Sequence, residues 1–244
     1  LVTKIFNAGK FVLAQTGETH PISNELDLAF VAKLRDLADS SRQNFEAYNY
    51  AHSLQETESF FWTHFTDTYL ELVKVRARMH SDGATGGDLI ESASAVASLR
   101  LGLSVLLRLF APVLPYITEE VWSWAFAEET GQPSIHAAPW PSGDDFAEVP
   151  APADPLSFDL AVAAHASINK AKADAEVSMG REVEQMTLLA NAETLERLQP
   201  VLGDVLSAAR ILSHASEVRA DLEDGVFEVA DAVFAPKPEK KSGA

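Results

Sequence analysis

Hydrophobic positions in the first 128 residues recur with a helical period. Leu1 to Ala14 carries one stripe and ends before Thr16-Gly17. Leu26, Phe30, Val31, Leu34 and Leu37 make a second. Phe45, Tyr48, Leu54, Phe61, Phe65, Tyr69, Leu72 and Val73 lie in a long third segment, read as one bent helix or two. Ser81 to Asp88, with three glycines, predicts a loop. A fourth helix runs from about Leu89 to Phe110 and stops near Pro112 and Pro115, since proline disfavours helix at the residue before it. Thr118 reads as the N-cap of a fifth helix, with Glu119 and Glu120 in the turn where the macrodipole favours anions. Val121, Trp122, Ala125 and Phe126 belong to it. Antiparallel helices with short connections predict a bundle over residues 1–130.

Residues 131–155 break this pattern. Six prolines fall between Pro133 and Pro155, with Trp140 and several acids, which reads as an irregular strap or linker. After Pro155 the grammar changes again. Leu156 to Val177 is helical, and Val183 to Ala190 alternates like a strand. Ala192 to Leu198 and Val201 to Leu212 read as short helices, or as a helix and a strand. Ala215 to Ala220 and Val226 to Phe234 are β-like, with Asp224-Gly225 as a hairpin signal between them. The expected fold is mainly α: an antiparallel helix bundle followed by a small α+β subdomain over 156–235 and a flexible polar tail over 236–244.

Composition narrows the function classes. The chain has 244 residues, 47% hydrophobic and 23% charged, enough to bury a sizeable core. Its formal charge of −17 argues against a membrane-surface or DNA-coating protein, which needs clustered Lys and Arg. The acidity is uneven: residues 1–80 hold 8 basic and 10 acidic groups, whereas residues 81–154 hold 2 and 11. A polyanion would find the first third least repulsive. With no cysteine, disulfides, thiol nucleophiles and iron–sulfur clusters drop out together. No uninterrupted apolar run approaches the roughly 18 residues of a membrane span. The opening Leu1-Val-Thr-Lys-Ile-Phe, without an initiator Met, reads as a piece of something longer.

Catalytic signatures are scarce. Gly83-Ala-Thr-Gly86-Gly87 lacks the Lys-Ser/Thr of a phosphate loop, and no Gly-x-Ser-x-Gly elbow occurs. His52 with Glu56, and His64 with Asp67, could each share a helix face, but zinc needs three or four ligands. Asp144-Asp145 is most simply a solvated pair. The first helix is more informative. On a wheel of about 100° per residue, Leu1, Val2, Ile5, Phe6, Gly9, Val12 and Leu13 share one arc, while Lys4, Asn7, Lys10, Phe11 and Ala14 share the other. An aromatic beside an amide and two ammonium groups suits an unstacked base: the ring stacks, the amide reads an edge, and the cations hold phosphate. The bland alternative is that Phe11 packs on a neighbouring domain or on the strap. Lys74, Arg76 and Arg78 either complement a helix C-terminus or contact phosphate. Trp124 and Tyr116 allow either packing or stacking, Trp122 lies on a core stripe, and Trp140 would pin the strap.

Four stretches resemble one family in order and spacing. Lys4-Ile-Phe-Asn-Ala-Gly-Lys-Phe-Val-Leu13 resembles the opening of the anticodon-binding domain of valyl-tRNA synthetases. Phe61-Trp-Thr-His-Phe-Thr-Asp-Thr-Tyr-Leu-Glu-Leu-Val-Lys74 resembles that domain's aromatic helix. Leu107-Arg-Leu-Phe-Ala-Pro-Val-Leu-Pro-Tyr-Ile-Thr-Glu-Glu-Val-Trp122 is similar to a stretch specific to the Val, Ile, Leu and Met group of class I synthetases. Ser134-Ile-His-Ala-Ala-Pro-Trp-Pro141 resembles the strap after it. Ile168-Asn-Lys-Ala-Lys172, followed by Val177-Ser-Met-Gly-Arg181, resembles the helix–strand unit behind the valyl bundle, though Asn169 stands for a basic residue and Met179 for a common proline.

The resemblance implies a tRNA anticodon-stem-loop recognition module of a bacterial valine–tRNA ligase, whose parent charges tRNA(Val) with valine in the cytoplasm. Together with the residue reading above, it makes Lys4, Asn7, Lys10, Phe11, Lys74, Arg76, Arg78, Lys170 and Lys172 the candidate tRNA contacts. The his-ile-gly-his and lys-met-ser-lys-ser types of ATP signature are missing from the sequence, so ATP with Mg would belong to a catalytic domain elsewhere in the parent. The expected partners are the tRNA(Val) anticodon stem-loop and the remaining domains of the synthetase, in a monomer, with no membrane and no DNA. No catalytic residue or metal ligand is expected in this piece. No Leu/Lys/Arg heptad region occurs, so the coiled-coil arm of many bacterial valyl enzymes is not carried over. Two alternatives stand beside this: the same region of an isoleucyl-tRNA synthetase, or a helical protein-interaction module.

Overall fold

A computed structural model describes residues 1–17, 20–83 and 85–236, the side chains of 80 and 81 excepted. The chain forms two compact units, Leu1–Pro155 and Leu156–Ala244. The fold is mainly helical, with one three-stranded sheet among the described residues.

The first unit is built around α5 (Gly87–Phe110), against which α1 (Val2–Leu13), α2 (Glu25–Glu46), α3 (Tyr50–Phe60), α4 (Leu70–Ser81) and α6 (Pro115–Ser123) pack. By length and composition α5 could cross a membrane, but 78% of its most apolar window is buried inside the bundle, as befits a core helix. Gly102 makes room for the ring cluster beside it: a Cβ there would lie 3.0 Å from Phe65 and 3.2 Å from Phe30. Phe30 on α2 stacks on Tyr69 at 3.9 Å between ring centroids, with Phe60 and Phe65 near 6 Å. Large aromatics in such contact dominate core energetics.

The long third segment begins later than expected: Phe45 lies in the last turn of α2 and Tyr48 in the turn after it, at φ +64°. From Tyr50 onward it is neither a plain α-helix nor two separate ones. It is a continuous rod in which α3 passes through a π-helical stretch, Phe61–Tyr69, into α4. Here i→i+5 bonding stacks residues five apart. The Thr68 hydroxyl accordingly donates to the carbonyl of Thr63 at 2.5 Å. Trp62 and Asp67, also five apart, are brought to one side of the rod.

Three expectations near α6 and the strap are corrected. Thr118 is not an N-cap: α6 begins at Pro115, with proline at its first position, where the missing N–H costs nothing. Thr118 lies inside the helix, buried, its hydroxyl donating back to Leu114 at 2.9 Å. After α7 (Phe126–Thr130), residues 131–155 form a packed part of the first unit. Ile135 and Phe146 are buried, Trp122 Nε1 donates to the Gln132 carbonyl at 3.0 Å, and Trp140 lies 4.7 Å from Phe45. Asp145 is not a solvated side chain. It closes a capping box with Ser142 and pairs with the buried Arg108.

In the second unit, α8 (Ser157–Asp174) packs on α9 (Ala192–Ala209), and β1 (Val183–Ala190) is the central strand. It runs parallel to β2 (His214–Val218) and antiparallel to β3 (Glu228–Phe234). Asp224-Gly225 is a turn, with Gly225 at φ +74°, but no hairpin: β1 lies between the strands it connects. The two short patterns after Asn191 merge into α9, which runs through Pro200 on its exposed side while Leu195, Leu198, Val201, Leu202 and Val205 face the core. The expected tail beyond Pro236 lies outside the described residues.

Candidate nucleic-acid interface

Helix α1 is amphipathic and touches the bundle along one line, Ile5, Ala8, Gly9 and Val12. Gly9 sets the approach to α6: a Cβ there would lie 2.7 Å from a methyl of Val121 and 3.4 Å from Trp124. Because contact runs through Ala8 and Gly9, the buried arc is narrower than the wheel drew it. Val2 is exposed, and Phe6 is 37% exposed and belongs to the solvent side.

Asn7 and Lys10 are exposed at the centre of the open face, and neither bonds another side chain among the described residues. On one flank, Phe6 meets Trp124 edge-to-face at 5.2 Å, and the Lys10 ammonium lies 5.6 Å from the Phe6 ring centre. On the other flank, the half-buried Phe11 carries the Arg78 guanidinium at 5.8 Å. The face therefore presents two aromatic rings, each paired with a cation, on either side of a free amide. Both contacts lie in the range of cation–π attraction.

Lys4 faces the π-helical stretch. Its Nζ is 2.8 Å from an Asp67 carboxylate oxygen and 5.3 Å from the centre of the Trp62 ring. Its charge is thereby partly spent. Lys74 is likewise held by Glu71 at 2.9 Å.

Arg76 is a structural residue. Its two terminal nitrogens each donate to Asp27 at 2.8 Å, and one also reaches the Glu91 carbonyl at 2.7 Å. Asp27 is fully buried and accepts two more bonds, from Tyr69 Oη and Ser94 Oγ, both at 2.6 Å. The hydroxyl of Tyr69 is pushed well above its usual range, first by burial and then by the Asp27 charge. Arg76 neutralises a buried carboxylate, the condition under which a core tolerates one.

In the second unit, Lys170 is exposed on α8, and Lys172 is 0% exposed. The Lys172 ammonium donates to the carbonyls of Met179 at 2.9 Å and Ala209 at 2.6 Å. Burial, and then the charge of Arg210, hold its pKa below the usual lysine range. It cannot reach a ligand from there.

Of the nine residues singled out in the sequence, the fold thus gathers Lys4, Asn7, Lys10, Phe11 and Arg78 around α1, with Lys74 on the rod between Asp67 and Arg78. Sequence reasoning misses Phe6 and Trp62. The only signal for Phe6 is its place at the edge of the apolar arc. Trp62 shares Lys4 with Asp67, five residues on, because the turns between those two are π-helical.

Residues 27–187 match the family model described as the anticodon-binding domain of tRNA ligase. The chain belongs to this family of tRNA-ligase anticodon-binding domains. Curated relatives that it matches include valine–tRNA ligases. That of Cutibacterium acnes is 39% identical over 86% of this chain and 23% of its own length. That of Thermobifida fusca is 36% identical over 91% of this chain and 24% of its own, and that of Bifidobacterium longum 36% over 93% and 26%. The chain spans about a quarter of the length of these relatives and is homologous to their anticodon-binding region.

Proposed function

We propose that this chain recognises the anticodon stem-loop of tRNA(Val) for a valine–tRNA ligase acting in the cytoplasm, and that the open face of α1 carries the recognition. The observation behind this is the paired arrangement on that helix: Phe6 under Lys10, Phe11 under Arg78, and the free amide of Asn7 between them. Splayed bases stack on rings, amides read base edges, and cations hold the backbone. Of the two lysines, Lys10 has no carboxylate partner among the described residues and is the stronger phosphate ligand, because Asp67 already holds Lys4. Valine activation with ATP and Mg takes place, on this reading, in the parent's catalytic part, and the parent acts as a monomer.

The test is a fluorescence titration of the full chain with stem-loop RNAs that differ only in the anticodon, at two salt concentrations. Replacing the ring that carries a base, by Phe6→Ala or Phe11→Ala, weakens binding by about 1–3 kcal/mol. Lys10→Ala makes the salt dependence shallower and leaves anticodon preference intact. Unchanged affinity in both ring variants would reduce Phe6 and Phe11 to packing residues. Retention of a protein with no RNA preference would favour an interaction module instead.

A further inference from the structure

One cleft among the described residues plays no part in anticodon recognition by α1. It lies wholly within the second unit, has a volume of about 310 Å³, and is lined by Ser178, Gly180, Arg181, Glu182, Arg210 and Pro236 among others. Two guanidinium groups reach it from separate elements. Arg181 follows the turn after α8, and Arg210 caps the C-terminal end of α9 in the left-handed conformation, at φ +56°.

These arginines differ from most others in this acidic chain. Arg76, Arg100, Arg108 and Arg219 each pair with a carboxylate. Arg181 and Arg210 have no carboxylate within 4.0 Å among the described residues, although Glu182 lines the same cleft. Arg181 Nη1 donates to the carbonyls of Ala235 and Pro236, and Arg210 Nη1 to that of Gly180 at 3.4 Å. The Nη2 and Nε groups of both take no acceptor among the described residues. A guanidinium offers five N–H donors in a planar fork matched to tetrahedral oxyanions, so most of the donor capacity here is uncommitted.

The walls are fixed from beneath. Lys172 bonds the carbonyl of Met179, in the turn between Ser178 and Gly180, and that of Ala209, next to Arg210. One buried ammonium thereby ties both sides of the cleft together and adds further positive charge under it.

We propose that this cleft is a phosphate-binding site, with Arg181 and Arg210 as its ligands and Lys172 as a positioning residue. The phosphate is either a backbone phosphate of the RNA that α1 engages or free inorganic phosphate. The first source rests on the function proposed for α1.

Two arms separate these. In the first, the guanidinium ¹⁵N–¹H signals of the full wild-type chain are followed while inorganic phosphate replaces chloride at constant ionic strength. Saturable shifts of the Arg181 and Arg210 signals are expected. In the second, stem-loop RNA binding is measured over a salt series for the wild type and for the Arg181→Gln/Arg210→Asn double variant. Asparagine tolerates the left-handed conformation at position 210. If RNA supplies the phosphate, the slope of log K against log salt becomes shallower by about 0.7–0.9 for each phosphate that the variant leaves unneutralised. Shifts in the first arm with an unchanged slope identify free phosphate as the source. Shifts in a chain that binds no RNA refute the anticodon reading and leave the phosphate site standing. No phosphate-dependent shift, together with an unchanged slope, overturns the proposal.

Discussion

Replacing Arg76 by methionine tests whether this arginine serves the fold or the ligand. Arg76→Met keeps most of the aliphatic stem and removes the cation paired with Asp27, a carboxylate at 0% exposure. Two bonds of 2.8 Å disappear, and the remaining side-chain donors, Tyr69 and Ser94, are neutral hydroxyls. Leaving a buried charge without its partner costs about 3–5 kcal/mol. For a chain of this size each kcal/mol lowers Tm by roughly 2–4 °C, so a drop of about 6–20 °C is expected. Asp27→Leu/Arg76→Met, which removes both charges, costs less than the sum of the two single variants, because an apolar pair leaves no lone buried charge. It strips the Tyr69 and Ser94 hydroxyls of their acceptor, about 1–3 kcal/mol each, so it does not regain wild-type stability. Urea unfolding followed by far-UV circular dichroism measures both variants. RNA affinity, taken at a temperature where the single variant is folded, stays at the wild-type value. A cost below about 1 kcal/mol, or a double variant no better than the sum of the singles, would refute the buried-pair argument. A loss of RNA affinity with stability intact would return Arg76 to the phosphate contacts.

Other consequences are open to the same measurements. Gly9→Ala forces Val121 aside at an approach of 2.7 Å and lowers stability by about 1–3 kcal/mol, despite the better helix propensity of alanine, as read by denaturant midpoint. The folded-state pKa of Tyr69 is raised above the ordinary 10.0, so its contribution is whole below that pH and is lost as pH rises past it. A Tyr69→Phe variant loses this part of the alkaline decline, and the difference between the two pH–stability curves shows it. Asp145→Ala leaves the buried Arg108 without its carboxylate and frees the capping box, so limited proteolysis within residues 131–155 speeds up relative to the wild type. Unchanged cleavage would mean that Trp122, Trp140 and Phe146 hold the strap by packing alone.

What can be read from the sequence divides along a physical line. Periodicity reports which side of an element is apolar, and it locates α1, α2, α5 and α8 as well as β1, because each buries a regular stripe. It does not report how wide a contact is. A helical wheel assigns Phe6 to the core for that reason, since only Val121 and Trp124 approaching at Gly9 decide where the contact ends. Nor does periodicity show which charges meet. Arg76 and Arg78, two apart on one helix, look alike as letters, but one meets Asp27 on α2 and the other Phe11 on α1. Lys172 reads as a surface cation and is buried, because two carbonyls distant in sequence converge on it. Proline is an ambiguous mark. Pro115 starts a helix and Pro200 sits within one, although the letter alone suggests a break at each. The family resemblance draws instead on whole motifs, which carry such long-range matches already solved.

The π-helical stretch makes chain length itself a functional variable. In an ordinary α-helix, residues five apart point roughly 140° away from each other. Lys4 could then meet Trp62 or Asp67, but not both. Deleting one residue between Phe61 and Tyr69 would let the rod settle into α geometry with its hydrogen bonds intact. Taken out between Trp62 and Asp67, the residue leaves those two four apart, about 40° from each other on an α-helix, so Lys4 keeps both. Taken out between Asp67 and Tyr69, it leaves them five apart, and Lys4 must give up one. A single-codon loss in this stretch thus spares or breaks the shared contact according to which side of Asp67 it falls, without changing any residue that takes part in it.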